Sequence, residues 1–237
     1  MEKNTYPVEE WKVTEEKFVK DWNYRNETTF ALSNGYIGTR GTFDEGYPFT
    51  VDEGLEGNFI NGFYESEHIR YGEWNFGFPE TSQSLLNLPN LKKTTIEVNG
   101  EMFDLKAGEI VEYSRSLLMN EGIVVRNIVW KSPKGKEVKA TFKRLVSLAD
   151  KKIMAIQIKV TPINFEGTVK FSSYVEAGVE NHTRKTNPLV DYGPFGKHLV
   201  VEELKSDEDY ILYQGETKNS KLSMACGSVV VTDGHMT

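Results

Sequence analysis

The sequence predicts an all-β protein that folds as a large antiparallel β-sandwich. Apolar side chains alternate with polar ones over residues 138–142 and again over residues 154–160. This alternation gives a strand one buried face and one wetter face, which is typical of antiparallel sheets packed face to face. Few segments repeat apolar residues at the helical period, so we expect little helix.

Composition limits the possible functions before any motif is considered. The 237 residues fit one large all-β domain or two small ones, and we expect a single domain over residues 1–237. A net charge of −7 argues against nucleic acid and anionic membranes as partners, because both favour a basic surface. The single cysteine, Cys226, excludes an internal disulfide. Residues 1–20 lack a signal-peptide core and no apolar run has membrane length, so we expect a cytoplasmic protein.

The first elements are predicted from short stretches of pattern. A strand near Trp11 competes with a short amphipathic helix over residues 14–20. Phe30 and Leu32 are spaced two residues apart, which favours a half-buried strand at this point. This strand leads into the most distinctive stretch of the chain.

A glycine-rich turn follows the strand. Asn34 and Gly35 supply the positive φ angles of a tight hairpin turn. Gly38 and Gly41 leave room for a backbone or a partner surface to come close, and Arg40 lies between them with five donors in a rigid fork. Two interpretations follow: a hairpin whose arginine caps a local carboxylate, or a surface that contacts a partner.

A polar, acidic loop is predicted over residues 43–57. Its carboxylate pairs are Asp44 with Glu45 and Asp52 with Glu53. Adjacent residues on a strand point to opposite faces, so neither pair is an obvious glycosidase dyad. We expect this acidic loop to be solvated.

Residues 71–79 are dense in aromatic side chains. Tyr71, Trp74, Phe76 and Phe78 all fall within this short stretch. Aromatic faces can stack on the C–H faces of sugar rings, and aromatic clusters also serve as core or interface anchors. The sequence leaves both interpretations open.

Strand signals then become regular along the chain. An Asn99-Gly100 turn is predicted to join two short strands. A polar loop is predicted over residues 181–196. The remaining strands are predicted at residues 123–130, 138–142, 154–160, 169–179, 199–204, 210–213 and 222–231, with a turn at residues 132–135.

Common catalytic and metal-binding patterns are not found. No two of the four histidines lie at ligand spacing on one helix, which makes a zinc site improbable. The glycine-rich turn lacks the lysine and hydroxyl of a phosphate-binding loop, and no Gly-x-Ser-x-Gly elbow is present. We therefore expect no metal site, no nucleotide site and no serine-hydrolase site in this chain.

The stretch Asn34-Gly-Tyr-Ile-Gly-Thr-Arg-Gly41 resembles the signature of the amino-terminal domain of glycoside hydrolase family 65. That family contains maltose, trehalose, kojibiose and nigerose phosphorylases. Further resemblance follows in the same order and spans residues 11–180, whereas the strands after residue 197 carry no recognised motif. The matching stretches are residues 60–65, 86–90, 122–126, 129–135, 144–148 and 160–162.

The resemblance implies a β-sandwich like that of the galactose mutarotases. It also implies that the catalytic glutamate and the phosphate site lie in a carboxyl-terminal α/α barrel, so the chain is expected to end before the barrel begins and to be inactive alone. No cofactor is implied, and inorganic phosphate is a co-substrate of the parent enzyme. The disaccharide, whether maltose, trehalose, kojibiose or nigerose, and the choice between phosphorolysis and hydrolysis stay open.

The resemblance also suggests where the chain meets its partners. Those partners are its own barrel and, in the full-length protein, a second subunit of a homodimer. The expected docking or pocket-rim residues are Asn34, Gly35, Tyr36, Arg40, Asn61 and Tyr64.

Two alternatives to a docking domain stay open at this stage. One is a self-contained carbohydrate-binding module that stacks sugar on Tyr71, Trp74 and Phe76. The other is a mutarotase-like enzyme, for which Glu180 and His182 form the local pair of acid and base.

Overall fold

The computed structural model describes residues 6–46, 53–182, 190–191 and 196–235. Strands dominate these residues and their pairings are antiparallel, which confirms the predicted all-β class. The first nine strands are β1 (Lys12–Glu15), β2 (Leu32–Ser33), β3 (Ile37–Thr39), β4 (Asn58–Ile60), β5 (Tyr64–His68), β6 (Arg70–Tyr71), β7 (Thr81–Leu85), β8 (Thr94–Val98) and β9 (Glu101–Met102). The other nine are β10 (Glu109–Leu118), β11 (Ile123–Lys131), β12 (Glu137–Val146), β13 (Met154–Pro162), β14 (Val169–Ser173), β15 (Val190–Asp191), β16 (Leu199–Ser206), β17 (Tyr210–Thr217) and β18 (Ser223–Val229).

The chain divides into two compact units. The first unit runs to Glu56 and resumes over Lys92–Ser173. The second unit combines Gly57–Leu91 with the chain from Tyr174 onwards. Each unit has a hydrophobic core of its own.

The first unit is built on a five-stranded sheet in the order β1-β10-β11-β12-β13. Along β12 every second residue is buried, as the alternation predicts. A smaller sheet pairs β14, β8 and β9, and the predicted Asn99-Gly100 turn joins β8 to β9 with positive φ at both residues. The buried side chains of this core are Phe43, Ile96, Val98, Phe103, Leu105, Tyr113, Ile128, Trp130, Val138, Ala140 and Phe142.

A short helix replaces part of the strand predicted around Phe30. A 3-10 turn (Lys20–Trp22) leads into helix α1 (Asn23–Thr29), and Phe30 forms the C-cap of that helix. The strand prediction is therefore wrong at Phe30 and correct from Leu32. The sequence does not indicate this helix because the helix has no apolar stripe. Its buried residues are Asn23, Asn26 and Glu27.

The competing prediction at the N-terminus is resolved in favour of a strand. β1 runs from Lys12 to Glu15, where a helix over residues 14–20 was the alternative. Its last residue, Glu15, accepts a hydrogen bond of 2.6 Å from Asn26 of helix α1. This bond supplies a polar partner for two buried side chains, which explains how a polar helix can lie against the sheet.

The second unit contains the three carboxyl-terminal strands as predicted, in the order β16-β17-β18. Two further antiparallel pairs are β5 with β7 and β6 with β15. The predicted loop over residues 181–196 lies largely outside the described residues. The buried side chains of this core are Phe63, Leu86, Leu88, Tyr213 and Met224.

Candidate docking motif and exposed aromatic loop

Asn34 builds the turn between β2 and β3. Its side-chain Oδ1 accepts hydrogen bonds from the backbone N–H groups of Tyr36 (2.9 Å) and Ile37 (2.8 Å). Gly35 has a φ of +85° and is exposed, as the glycine-rich turn predicts. Asn34 itself does not have a positive φ, so that half of the predicted turn is wrong, and its side chain holds the turn through these two hydrogen bonds instead.

The same asparagine also connects the turn to a distant part of the first unit. Its Nδ2 donates to the carbonyl oxygens of Ser147 (2.6 Å) and Lys151 (3.1 Å), in the connection between β12 and β13. The ammonium group of Lys151 lies 5.0 Å from the centroid of the Tyr36 ring. Asn34 and Tyr36 are thus held together against one neighbouring turn.

Arg40 forms mostly short-range contacts to helix α1 and to Leu55. Its Nε donates to the carbonyl oxygen of Leu55 (2.8 Å), and its Nη2 donates to that of Tyr24 (3.1 Å). An ion pair of 3.4 Å joins it to buried Glu27, and burial raises the pKa of Glu27 although Arg40 opposes this. These contacts match the interpretation in which the arginine caps a local carboxylate.

Gly41 allows two backbones to approach closely, as predicted. Its N–H donates to the carbonyl oxygen of Glu27 at 2.7 Å. A Cβ at this position would lie 2.8 Å from the carbonyl oxygen of Phe30. At Gly38 the atom nearest to such a Cβ would be 3.8 Å away, an ordinary contact, so no other backbone comes close there and the approach of a partner surface stays a prediction.

Two arginines of the five-stranded sheet, which we call the arginine clamp, hold the backbone that follows Arg40. Arg115 of β10 donates to the carbonyl oxygen of Gly41 at 2.9 Å. Arg144 of β12 donates to the carbonyl oxygens of Arg40 (3.0 Å) and Thr42 (2.6 Å). Each such bond to a charged donor is stronger than a neutral one. The two arginines therefore hold the carboxyl-terminal end of the docking motif (Asn34–Gly41) firmly to the five-stranded sheet.

The acidic residues after the motif are buried, which corrects the expectation of a solvated loop. Asp44 accepts from Arg144 Nε at 3.0 Å, and Glu45 pairs with Arg126 of β11. Both carboxylates are about 5% exposed, and burial raises the pKa of Glu45 although Arg126 opposes this. The two carboxylates pair with different arginines, so they form no catalytic dyad. Asp52 lies outside the described residues.

Sequence reasoning missed these three arginines as partners of the motif. Arg115, Arg126 and Arg144 lie on strands, and their side chains are at most 6% exposed. A buried arginine requires a carboxylate or carbonyl partner because its charge is costly to desolvate. An arginine in the apolar segment 123–130 was the one signal that could have indicated such a partner.

The second unit contains the other predicted docking residues. Asn61 and Gly62 form the turn between β4 and β5, where Gly62 has a φ of +86°. Asn61 is exposed, and the side chain of Tyr64 is 38% exposed. The carbonyl oxygen of Tyr64 accepts a hydrogen bond of 2.7 Å from Ser220.

Trp74, Phe76 and Phe78 lie in a surface loop between β6 and β7, and Tyr71 is the last residue of β6. Phe76 is 97% exposed and Trp74 is 59% exposed, so the core interpretation is wrong for both. Tyr71 is better packed, because its ring lies 5.1 Å from that of Phe78 and its hydroxyl donates to the Pro79 carbonyl. The interface and sugar-stacking interpretations both stay predictions.

The histidines give little support to an acid–base site. Glu180 and His182, the predicted pair, are both exposed. Another histidine, His198, is buried with its Nδ1 3.4 Å from Glu67 and 3.8 Å from Glu65. Glu65 in turn accepts backbone N–H bonds from the turn before β18, so its role in this group is structural.

The described ranges contain neither a metal-binding cluster nor a membrane-spanning helix. Among the described residues, no group of three histidine, cysteine or carboxylate side chains is placed to hold a metal ion. No helix in the described part of the chain is long and apolar enough to cross a membrane.

Comparisons with known proteins all point to one protein family. The sequence profile of the glycosyl hydrolase family 65 N-terminal domain matches residues 13–236, which includes the strands after residue 197. An alpha,alpha-trehalose phosphorylase from Thermoanaerobacter brockii is 38% identical over 98% of this chain and 30% of its own length. A kojibiose phosphorylase from the same organism is 29% identical over 96% of this chain and 27% of its own length. The chain therefore spans about three tenths of the length of these curated relatives.

A solved structure is also similar. A putative kojibiose phosphorylase from the human microbiome superposes with a TM-score of 0.76 over 96% of this chain and 31% of that protein. The sequence identity is 18%, so this likeness concerns the fold.

Proposed function

The chain belongs to glycosyl hydrolase family 65 as its N-terminal domain, and we propose that it serves as the non-catalytic domain of a disaccharide phosphorylase. The observation that carries this proposal is the coverage of the relatives. A trehalose phosphorylase aligns with 98% of this chain but only 30% of its own length. The remaining length of such an enzyme has room for a separate catalytic domain.

The proposed reaction belongs to the parent enzyme rather than to this chain. We propose an α-linked glucose disaccharide such as trehalose or kojibiose as substrate, with inorganic phosphate as co-substrate and no cofactor. The names of the relatives support trehalose and kojibiose. Maltose is the weaker proposal because it rests on the resemblance alone. A cytoplasmic location and a homodimer are further parts of this proposal.

The proposed role of the domain is to support the catalytic domain. The arginine clamp fixes the backbone from Arg40 to Thr42, so the turn at Asn34 projects from a rigid base. Rigid presentation favours a docking surface because little conformational entropy is lost when the partner binds. Because the contacts of Arg40 point to helix α1, we assign docking to the turn at Asn34, Gly35 and Tyr36, with Asn61 and Tyr64 as further candidates.

A chimaera tests this role. The N-terminal region of the Thermoanaerobacter brockii trehalose phosphorylase, matched over 233 residues, is replaced by this chain. We expect the chimaera to release glucose 1-phosphate from trehalose and phosphate, and this chain alone to release none. A chimaera that folds as one assembly yet has no activity would count against the proposal, and so would activity of the chain alone.

A substitution in the proposed docking turn tests the same role at a single residue. In the active chimaera, Tyr36→Ala removes the ring beside Lys151 without touching the arginine clamp. We expect a lower melting temperature of the chimaera with little change in this chain alone. Tyr210→Ala, at an exposed tyrosine (39%) on β17, is the control.

A second candidate function is sugar binding by the aromatic loop. The observation that favours it is the exposure of Trp74 and Phe76, since an exposed indole is a suitable platform for a sugar ring. Calorimetric titration with trehalose and kojibiose tests it, with Trp74→Ala as the variant. Saturable heat that the variant loses would support a binding module, whereas no heat at millimolar sugar would leave the loop as an interface.

A further inference from the structure

Strand β13 has an open side at the edge of the first unit. It is the last strand of the five-stranded sheet, and among the described residues only β12 pairs with it. Its residues, Met154–Pro162, keep one continuous register with β12, without a bulge. Proteins usually shorten, bulge or charge such an edge, because its unpaired N–H and C=O groups bind other strands. β13 is long and regular, and Lys159 is its one charged residue.

Two other edge strands show the protection that β13 lacks. β1, at the opposite edge of the same sheet, has only 4 residues. β16, at an edge of the sheet in the second unit, has a bulge between Val201 and Glu203. It also has charged side chains at Glu202, Glu203 and Lys205.

The hydrogen bonds to β12 show which backbone groups of β13 face the open side. The Ser147 N–H donates to the Ile153 carbonyl, and the Ile163 N–H donates to the Glu137 carbonyl, both at 2.9 Å. In an antiparallel ladder, residues that bond to one neighbour alternate with residues whose backbone groups point away from it. The odd-numbered residues of β13 therefore bond to β12. The N–H and C=O groups of the even-numbered residues face the open side: Met154, Ile156, Ile158 and Val160.

The sequence around Ile158 has nearly the same chemical pattern in both directions. If two copies of β13 pair antiparallel with Ile158 opposite its own copy, each apolar residue of the core-facing side meets another apolar residue. The opposed pairs are Ile156 with Val160, Met154 with Pro162, Gln157 with Lys159, Ala155 with Thr161, and the flanking Ile153 with Ile163. No like charges lie directly opposite each other in this register.

The same register also satisfies the open backbone groups. Ile158 and its copy exchange two hydrogen bonds, and each Ile156 exchanges two with the opposite Val160. Each Met154 N–H meets the carbonyl oxygen of the opposite Pro162. Proline has no N–H to donate, and it lies at the end of the pairing, where this omits one bond only. All four outward N–H groups of each strand therefore gain an acceptor.

Burial changes sharply between β12 and its edge neighbour. Val138, Ala140 and Phe142 of β12 are at most 2% exposed. The core-facing residues of β13 are only half-buried, although Ile158 and Val160 pack against the same core. Ile153 and Ile163, at the two ends of β13, are 50% and 52% exposed. A further strand along this edge would remove apolar surface from water, which is favourable.

We propose that β13 is a homodimer surface, at which two copies of this chain join their five-stranded sheets edge to edge about a twofold axis at Ile158. A twofold interface uses the same patch on both subunits, so it requires a self-complementary strand such as this one. The proposal rests on the homodimer of the proposed function and names its surface. Its tests use no catalytic readout, so it can fail while the proposed function stands, and the reverse.

Sedimentation equilibrium of this chain over a range of concentrations gives the first test. We expect the weight-average mass to increase from the 27.0 kDa of one chain toward twice that value. A single species of one chain up to about 1 mM would overturn the proposal, because even a millimolar dissociation constant would be visible at that concentration.

Hydrogen exchange at single residues locates the surface without any substitution. At a concentration that favours the dimer, the amides of Ile156, Ile158 and Val160 should exchange slowly, and on dilution they should exchange fast. The amides of Gln157 and Lys159 should stay slow in both conditions because they bond to β12. A dimer in which the even-numbered amides exchange fast, or in which another edge such as β18 gains the protection, would overturn the proposal.

A charge exchange on the exposed face of β13 tests the register. Gln157→Lys places two lysine pairs opposite each other by symmetry, so the dissociation constant should increase about tenfold. Adding Lys159→Glu to this variant should restore dimerisation, since opposite charges then face each other. Gln83→Lys, at an exposed glutamine of β7, is the matched control and should leave the dissociation constant unchanged. Equal weakening by Gln157→Lys and the control, or no recovery in the double variant, would contradict this register.

Discussion

Because Gly41 has no side chain, two backbone segments can come into contact at this residue. The N–H of Gly41 lies 2.7 Å from the carbonyl oxygen of Glu27, and a Cβ would lie 2.8 Å from the carbonyl oxygen of Phe30. The φ angle of Gly41 is not in the left-handed region, so the requirement is one of space alone. The surroundings of two other residues, Glu65 and Cys226, shift the pKa of their side chains.

Gly41→Ala is expected to destabilise the chain by about 1–3 kcal/mol, as overpacking of a tight site does. The backbone of helix α1 or of the motif must shift to admit the methyl group. Urea unfolding measures the change in free energy. Gly38→Ala is the control because its nearest neighbour would be 3.8 Å away, and a loss there as large as at Gly41 would contradict the steric explanation.

Glu65 is expected to make stability depend on acidic pH. Burial alone raises its pKa, but the backbone N–H groups of Asn219, Ser220 and Ser66 outweigh burial and lower it below the usual value. A carboxylate with a lowered pKa in the folded state contributes stability above its unfolded pKa, near 4.3, and loses that contribution as the pH falls through the folded pKa.

The Glu65→Gln variant measures that contribution. The gap in unfolding free energy between the original chain and the variant should be largest at neutral pH and should shrink below pH 4. Glu208→Gln, at an exposed position, should give a small gap at every pH. A gap for Glu65→Gln that stays constant from pH 7 to pH 3 would show that its charge is unimportant.

Cys226 is expected to react slowly in the folded chain. Burial raises the pKa of this thiol to about 11, so the reactive thiolate is scarce at neutral pH. A thiol reagent at pH 8 should label the urea-unfolded chain quickly and the folded chain slowly, with the folded rate increasing as the pH approaches 11. Equal rates in both states at pH 8 would contradict this assignment.

At the scale of elements, helix α1 and the arginine-bearing strands hold the motif from two sides. Helix α1 contacts Arg40 through Tyr24 and Thr28, while β10 and β12 reach the next residues through the arginine clamp. The turn residues around Asn34 were predictable because asparagine and glycine have local conformational preferences. The clamp was not predictable because its members lie about 100 residues from their carboxylate partners.

Arg144→Met is expected to cost about 3–5 kcal/mol, because it leaves Asp44 buried without its partner and removes donors to the motif backbone. The double variant Asp44→Asn with Arg144→Met should recover part of that loss, since no buried charge remains unpaired. Urea unfolding of the four chains gives the coupling energy. Additive losses in the double variant would contradict direct pairing.

At the scale of the whole molecule, large apolar side chains on the surface accompany the proposed docking role. Val200, Val201 and Leu204 of β16 are each about half exposed, at 48%, 50% and 57%. Exposed apolar residues that cluster on one element often mark an interaction surface. In the proposed parent enzyme, the catalytic domain would cover part of this apolar surface.

The expected consequence is that this chain alone binds a hydrophobic dye and that the trehalose phosphorylase chimaera binds less dye per N-terminal domain. Fluorescence titration with the dye at native pH measures both. Leu204→Gln should lower dye binding by the chain alone, with Val111→Gln, at an exposed valine of β10 (50%), as the control. Equal dye binding by the chain and the chimaera would contradict coverage of this surface.

The sequence by itself determined the local structure and the family. The alternation of residues 138–142 indicated β12, the Asn99-Gly100 pair indicated the turn after β8, and the motif from Asn34 to Gly41 resembled family 65. Each of these depends on neighbours within a few residues, because side-chain alternation and backbone preference act locally.

The tertiary structure decided which polar residues are buried and what they bind. It buried Asp44 and Glu45 after the motif and paired them with arginines of β12 and β11. It also exposed Trp74 and Phe76, which composition alone could have assigned to a core. The physical reason is that burial and charge pairing depend on strands brought together from distant parts of the chain, and no local pattern records those distances.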